Sequence, residues 1–228
     1  MLPLRDANPT RHTPYVTISL IVINVLVSVY AYTQQLGGTL GLFYSRWGFT
    51  PAMLELDPLR AGVTIFTGMF LHGGALHLGG NMLYLWIFGD NIEDRLGPFR
   101  FLLFYLFTGV LAALAQWAIE PGSPIPVIGA SGAVAGVLGG YLLLYPRAKV
   151  MTAIFVVIFY AVRPLPAVLV LAGWFVLQLF QGTASLQEAG AASGGVAFFA
   201  HVGGFAAGFL LVKLFAVGRP APNHSLFG

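Results

Sequence analysis

Long apolar runs almost free of charge constrain this chain more than any single motif. They fall at about 15–33, 77–90 with its flanks, 101–119, 127–145, 165–181 and 195–217 of the 228 residues. A helix of about 20 apolar residues covers the hydrocarbon core of a bilayer. Backbone inside lipid must satisfy its polar groups internally, so helices are what such runs become. Hydrophobic residues make up 57% of the sequence and charged ones 8%, against about 25% charged in soluble domains. The expected fold class is an all-α polytopic membrane protein with six transmembrane helices. Its expected organisation is a cytoplasmic tail over 1–14, one membrane domain over 15–217 and a second cytoplasmic tail over 218–228.

Residues 149–163 (KVMTAIFVVIFYAVR) are apolar and β-branched but too short for a span. They read as an interfacial or partly buried connector. With six spans and both ends inside, cytoplasmic segments hold Arg5, Arg11, Arg95, Arg100, Arg147, Lys149, Arg163, Lys213 and Arg219. External segments hold only Arg46 and Arg60. That asymmetry obeys the positive-inside rule. The external stretch of about 34–75 contains Trp47, Phe49, Met53, Phe66 and Phe70. It is too apolar for a free linker and is expected to lie in the outer leaflet. The polar, proline-containing start and the lack of an A-x-A-like end to the first run favour a retained helix over a cleaved signal. Short tails without a targeting segment place the expectation in a bacterial plasma membrane.

The chain has no cysteine, which excludes disulfides, thiolate metal sites and a cysteine nucleophile. Its eleven basic residues are scattered and make no nucleic-acid stripe. His72 and His77 form no metal motif, because there is no HExxH and no further ligand cluster. No metal or other cofactor is implied.

Polar residues inside bilayer helices are costly and usually functional. Ser131 sits in Gly129-Ala130-Ser131-Gly132 at the head of the fourth run. His201 sits in Ala200-His201-Val202-Gly203-Gly204 on the sixth, and His77 and Asn81 lie on the second. At 1.5 Å per residue, His77 lies about 20 Å above Asp90, Ser131 about 21 Å above Tyr145, and His201 about 18 Å above Lys213. All three share one depth below the outer face. Ser131 follows the Pro121–Pro126 loop closely, so the fourth helix is expected to be short, with its start sunk in a water-filled hollow.

A hydroxyl becomes a nucleophile when a base holds its proton, so Ser131 and His201 together point to a serine–histidine dyad. No carboxylate lies mid-span to complete a triad. Gly132, Gly136 and Gly140, with Gly204 and Gly208, allow the two helices to meet closely. The spacing alone also fits a packing seam whose serine only hydrogen-bonds across it. His77 and Asn81, at i and i+4, share a helix face and are placed to donate to an oxyanion, or to serve as interhelical polar contacts. Glu93 and Arg95 read as a charged cap tying the second and third helices.

These residues resemble the rhomboid family of intramembrane serine proteases over 63–208. The resemblance rests on His72-Gly73-Gly74-Ala75-Leu76-His77-Leu78-Gly79-Gly80-Asn81, on Glu93-Asp94-Arg95-Leu96-Gly97, on Gly129-Ala130-Ser131-Gly132, and on Ala200-His201-Val202-Gly203-Gly204 with Gly208. It implies a six-helix rhomboid-like bundle. Ser131 is then the nucleophile and His201 the base. His77, Asn81 and the Ser131 amide form the oxyanion hole, and His72 shapes the cavity. Trp174 and Phe175 lie on the lateral gate that admits single-pass transmembrane substrates from the lipid bilayer. Two positions depart from patterns seen in some members. Ala135 replaces an aromatic one turn after the serine, and Val63-Thr64 replaces a Trp-Arg pair. The rival reading is a non-catalytic protein of the same fold that binds membrane proteins or serves their quality control.

Overall fold

The computed structural model describes residues 1–156, 159–187 and 196–219. Its helices are α1 Tyr15–Leu36, α2 Leu40–Trp47, α3 Met53–Leu56, α4 Pro58–Gly68, α5 Ala75–Leu96, α6 Pro98–Ile119, α7 Ser131–Leu144, α8 Ala167–Gln187 and α9 Phe198–Phe215. Its strands are β1 Leu2–Asp6, β2 Lys149–Val156 and β3 Phe159–Pro166. The six long or apolar runs appear as α1, α5, α6, α7, α8 and α9. Four of them, α1, α6, α8 and α9, are long and apolar enough to cross a membrane. α5 matches them in length but carries Asp90, Glu93, Asp94 and Arg95 near its end. α7 is apolar but has 14 residues. That is the short fourth helix the sequence implies.

α7 forms the centre. Eleven of its residues are buried, and α5, α6, α8 and α9 pack around it. Small residues make this possible: Gly132, Ala133, Ala135, Gly136, Gly139 and Gly140 are all buried. A helix hydrophobic on every side belongs in the middle of a bundle.

The stretch over 34–75 is not a loose loop. α2, α3 and α4 fold it, and Phe49, Ile65 and Met69 form a second apolar cluster with Ala113 of α6.

The largest departure from an all-α expectation is a three-stranded antiparallel sheet ordered β1-β2-β3. The tail over 1–14 thus contains a strand, and the described residues of the connector over 149–163 fall on the paired strands β2 and β3. Proline explains the order. Pro3 lies in β1, and Pro164 and Pro166 lie in β3, while β2 has none. Proline cannot donate to a ladder and is confined to edge strands. The β-branched and aromatic KVMTAIFV segment takes the central place.

Hydrogen bonds gather alternate helix ends beside this sheet. Glu93 accepts from Val16 N–H at 2.9 Å, and from Thr17 N–H at 2.7 Å and Thr17 Oγ1–H at 2.8 Å. It therefore caps the start of α1. The expected tie between the second and third helices gives way to one between α5 and α1, because a helix start leaves donors open and favours negative charge. Arg95 donates to the Ala216 carbonyl at 3.5 Å, and Arg100 to the Val217 carbonyl at 2.6 Å, at the end of α9. Asp6 of β1 accepts from Tyr141 of α7 at 2.6 Å and Asn91 of α5 at 3.0 Å. The terminal segment beyond residue 219, part of the expected tail over 218–228, lies outside the described residues.

Candidate active site

Ser131 is the first residue of α7. The turn into it runs through Gly129, whose φ is 124°, a region that residues with a Cβ seldom enter. A Cβ placed there would also stand 2.8 Å from His77 Nε2 and 3.5 Å from Ser131 Oγ. His77 and Ser131 therefore flank one glycine. Gly129 N–H donates to the Gly68 carbonyl at 2.9 Å, and Phe49 and Val127 exchange backbone bonds of 3.1 and 2.7 Å. The approach to Ser131 is pinned in this way to the segment that carries α2–α4.

The cap of α7 is Ala130, which offers no side-chain acceptor. The first bond along the helix runs from Val134 N–H to the Ala130 carbonyl at 2.9 Å. The amides of Ser131, Gly132 and Ala133 are thus among the donors that a helix start leaves open.

His201 lies on α9, which faces α7 across the glycine seam. A Cβ on Gly204 would overlap the Gly132 carbonyl, and one on Gly208 the Gly136 carbonyl. The two helices meet backbone to backbone, with Ala200 O 3.8 Å from a Cβ built on Gly132. Ser131 Oγ bonds neither imidazole in this conformation. The His77 ring is engaged by Gly73, and the His201 ring by Gln178. Unliganded sites often hold such pairs longer than the reacting geometry.

Gly73 N–H donates to His77 Nδ1 at 3.4 Å, which puts the proton of a neutral ring on Nε2. Nε2 is the atom beside Gly129. One turn along α5, Asn81 is 7% exposed, and its Nδ2 has no partner. His72 is 3% exposed with both ring nitrogens unpartnered, and stands edge-on to His77 at 5.2 Å. Buried polar atoms are partnered about nine times in ten, so such orphans call for a reason. A free donor of this kind is what an oxyanion requires.

A hollow of about 30 Å³ touches Ser131, Gly129, Gly132, Ala197 and Ala200, which is room for a water. A larger hollow of about 620 Å³ lies between α2 and α4, lined by Arg46, Trp47, Arg60, Val63 and Thr64. Its hydroxyls, Ser45 and Thr64, have no imidazole or carboxylate among the lining residues to act as a base.

Trp174 lies 5.9 Å from the His201 ring and 6.1 Å from Phe205, while Phe175 stacks on Phe205 at 4.6 Å. Both turn toward α9. Two glutamines went unnoticed in the sequence. Gln178 contacts His201, and Gln116 accepts from Ala200 N–H at 3.1 Å at the start of α9. Their one available signal was an amide in a largely apolar helix.

A family model described as the Rhomboid domain matches residues 60–217. Rhomboid protein 1, mitochondrial, of Saccharomyces cerevisiae is 34% identical over 111 residues, 45% of this chain and 31% of that protein. Rhomboid protease GluP of Bacillus subtilis is 42% identical over 78 residues, 34% of this chain and 15% of that protein. Rhomboid protease GlpG of Salmonella newport is 25% identical over 161 residues, 69% of this chain and 53% of that protein. The match with each of the first three relatives spans at most 31% of that relative.

Proposed function

Because the chain belongs to the rhomboid family, we propose that it is an intramembrane serine endopeptidase that cuts transmembrane segments of single-pass proteins. Ser131 is the nucleophile and His201 the base. His77 Nε2–H, Asn81 Nδ2–H and the Ser131 amide receive the oxyanion. The observation that carries this reading is the set of open donors on α5 and at the start of α7. His77 Nδ1 is occupied by Gly73, Asn81 Nδ2 is unpartnered, and α7 starts without a side-chain cap. His77 Nε2 stands across Gly129 from Ser131, and donors are thereby open on α5 and at the start of α7.

In the reaction the Ser131 oxygen attacks the scissile carbonyl while His201 takes its proton. The carbonyl oxygen gains charge and is met by the donors. His201 then returns the proton to the leaving nitrogen, and water releases the acyl group by the same steps. Trp174 and Phe175 lie on α8, past which the substrate helix enters. The protein spans the membrane six times with both ends in the cytoplasm, in a bacterial plasma membrane. Reporter fusions after residue 122 should read external, and those after 97 and 148 internal.

The test compares wild type, Ser131→Ala and His201→Ala on a transmembrane reporter in detergent, alongside labelling by a fluorophosphonate. Wild type should cleave and label on Ser131, and each variant should do neither. Adduct on another serine, or full labelling in His201→Ala, would remove the mechanism and leave the non-catalytic reading.

A further inference from the structure

α8 is apolar, yet near its middle one amide turns inward. Gln178 is 6% exposed and His201 8%, and Gln178 Oε1 stands 2.6 Å from His201 Nδ1. A carbonyl oxygen only accepts, so Nδ1 carries the proton. In a neutral imidazole the lone pair is then on Nε2. Two aromatic rings flank the imidazole. Trp174 lies 5.9 Å away at 32°, and Phe198 meets the ring at 6.4 Å and 86°. Trp174 and Gln178 are four residues apart and share one face of α8. A single helix thus supplies both an aromatic neighbour and a hydrogen-bond acceptor to His201.

We infer that Gln178 is the positioning residue of the dyad, acting through His201 to keep Nδ1 protonated and Nε2 free for the Ser131 proton. This rests on the dyad reading given above. A free imidazole in water favours the opposite tautomer, with the proton on Nε2, which cannot accept from a hydroxyl. A buried Nδ1–H without an acceptor would also be penalised, so the ring would turn or shift its proton. Soluble serine hydrolases solve the same problem with a carboxylate. An amide fixes tautomer and orientation without placing a charge among membrane helices, where charge is costly.

The test uses the full chain in detergent micelles with ¹⁵N-labelled histidine. Imidazole nitrogen spectra, with the His201 signal identified by its loss in His201→Ala, report the tautomer directly. Wild type should show protonated Nδ1 and unprotonated Nε2. Gln178→Leu, close in shape but without an acceptor, should lose that signature. Its kcat and fluorophosphonate labelling rate should fall about 10–100-fold, part of the 10²–10⁴ that a general base supplies, with KM unchanged. Gln178→Glu retains an acceptor and should restore the tautomer and most of the rate. Where Gln178→Leu fails to fold, Gln178→Met provides the same comparison. A wild-type ring protonated on Nε2, or an acceptor-less variant with wild-type tautomer and rate, overturns the inference alone. A wild type with the expected tautomer that neither cleaves nor labels overturns the dyad itself, and with it any catalytic meaning for Gln178.

Discussion

The two ends of this bundle differ in how they treat some of their buried polar groups. Beside the sheet, Glu93 takes three hydrogen bonds and Asp6 is met by Tyr141 and Asn91. Arg95 Nε is an exception there, and Asn24 Oδ1 and Ser28 Oγ of α1 and Tyr105 Oη of α6 also lack partners. At the other end, Asn81 Nδ2 and both nitrogens of His72 have no partner. Satisfied groups hold a structure together, whereas unsatisfied ones are costs that persist where function needs them. Under the proposed function, the sheet end serves as scaffold and the Ser131 end as machinery.

The largest effect that would break this division is at Asn81. Asn81→Ala should lower kcat by about 10²–10³, as expected for loss of one oxyanion donor, while the melting temperature in detergent stays level or rises. Unchanged turnover with a lower melting temperature would make Asn81 an ordinary packing residue and erase the contrast.

Glu93 offers the mirror case. Glu93→Ala leaves two amides and a hydroxyl at the start of α1 without their acceptor. A loss of about 1–3 kcal/mol is expected for stranding such donors, read as a lower melting temperature. The activity of the protein that remains folded should match wild type. A variant of normal stability and reduced kcat would carry the machinery to the sheet end.

The third effect is smaller and depends on pH. Asp6 lies outside the membrane helices, and burial pushes its carboxyl from 3.8 up to about 7. Desolvation, with a further push from Asp90, outweighs the hydrogen bond from Tyr141. A carboxyl raised in the folded state stabilises fully below its unfolded value and loses that contribution as pH climbs through the folded one. Docking of β1 should therefore weaken between about pH 4 and 7. Hydrogen exchange at residues 2–6, corrected for intrinsic rates, should show protection declining across that window. Asp6→Asn should flatten the profile. A flat wild-type profile would show that the strand is held by its ladder alone.

What the sequence revealed and what it concealed divide along similar lines. The small-residue spacing around Ser131 and His201 was legible, because glycines at i+4 on two apolar helices announce a close seam. A short α7 could be inferred from the distance between Pro126 and Ser131. The sheet could not, since an apolar β-branched run such as 149–156 suits a strand or a buried helix equally, and its partner β1 lies near the other end of the chain. Glu93 looked like a local cap because its acceptor role depends on Val16 and Thr17, 77 and 76 positions away. Gln178 was visible as an amide four residues after Trp174, one of three glutamines on α8, but only the approach of α9 gives it a purpose.

The pairing of β1 with β2 also imposes an order of assembly. Leu2 is matched with Ala153 and Asp6 with Val150, so the strand made first has no mate until the chain has passed α7. At about 5–20 residues per second, that wait is roughly 7–30 s. In that interval α1, α5, α6 and α7 can insert and pack, while β1 stays an open edge whose Pro3 limits stray pairing. β1 and β2 thus pair after α1, α5, α6 and α7 are made and before α8 and α9 follow, so the sheet closes on the first half of the bundle and is not the nucleus from which that half grows.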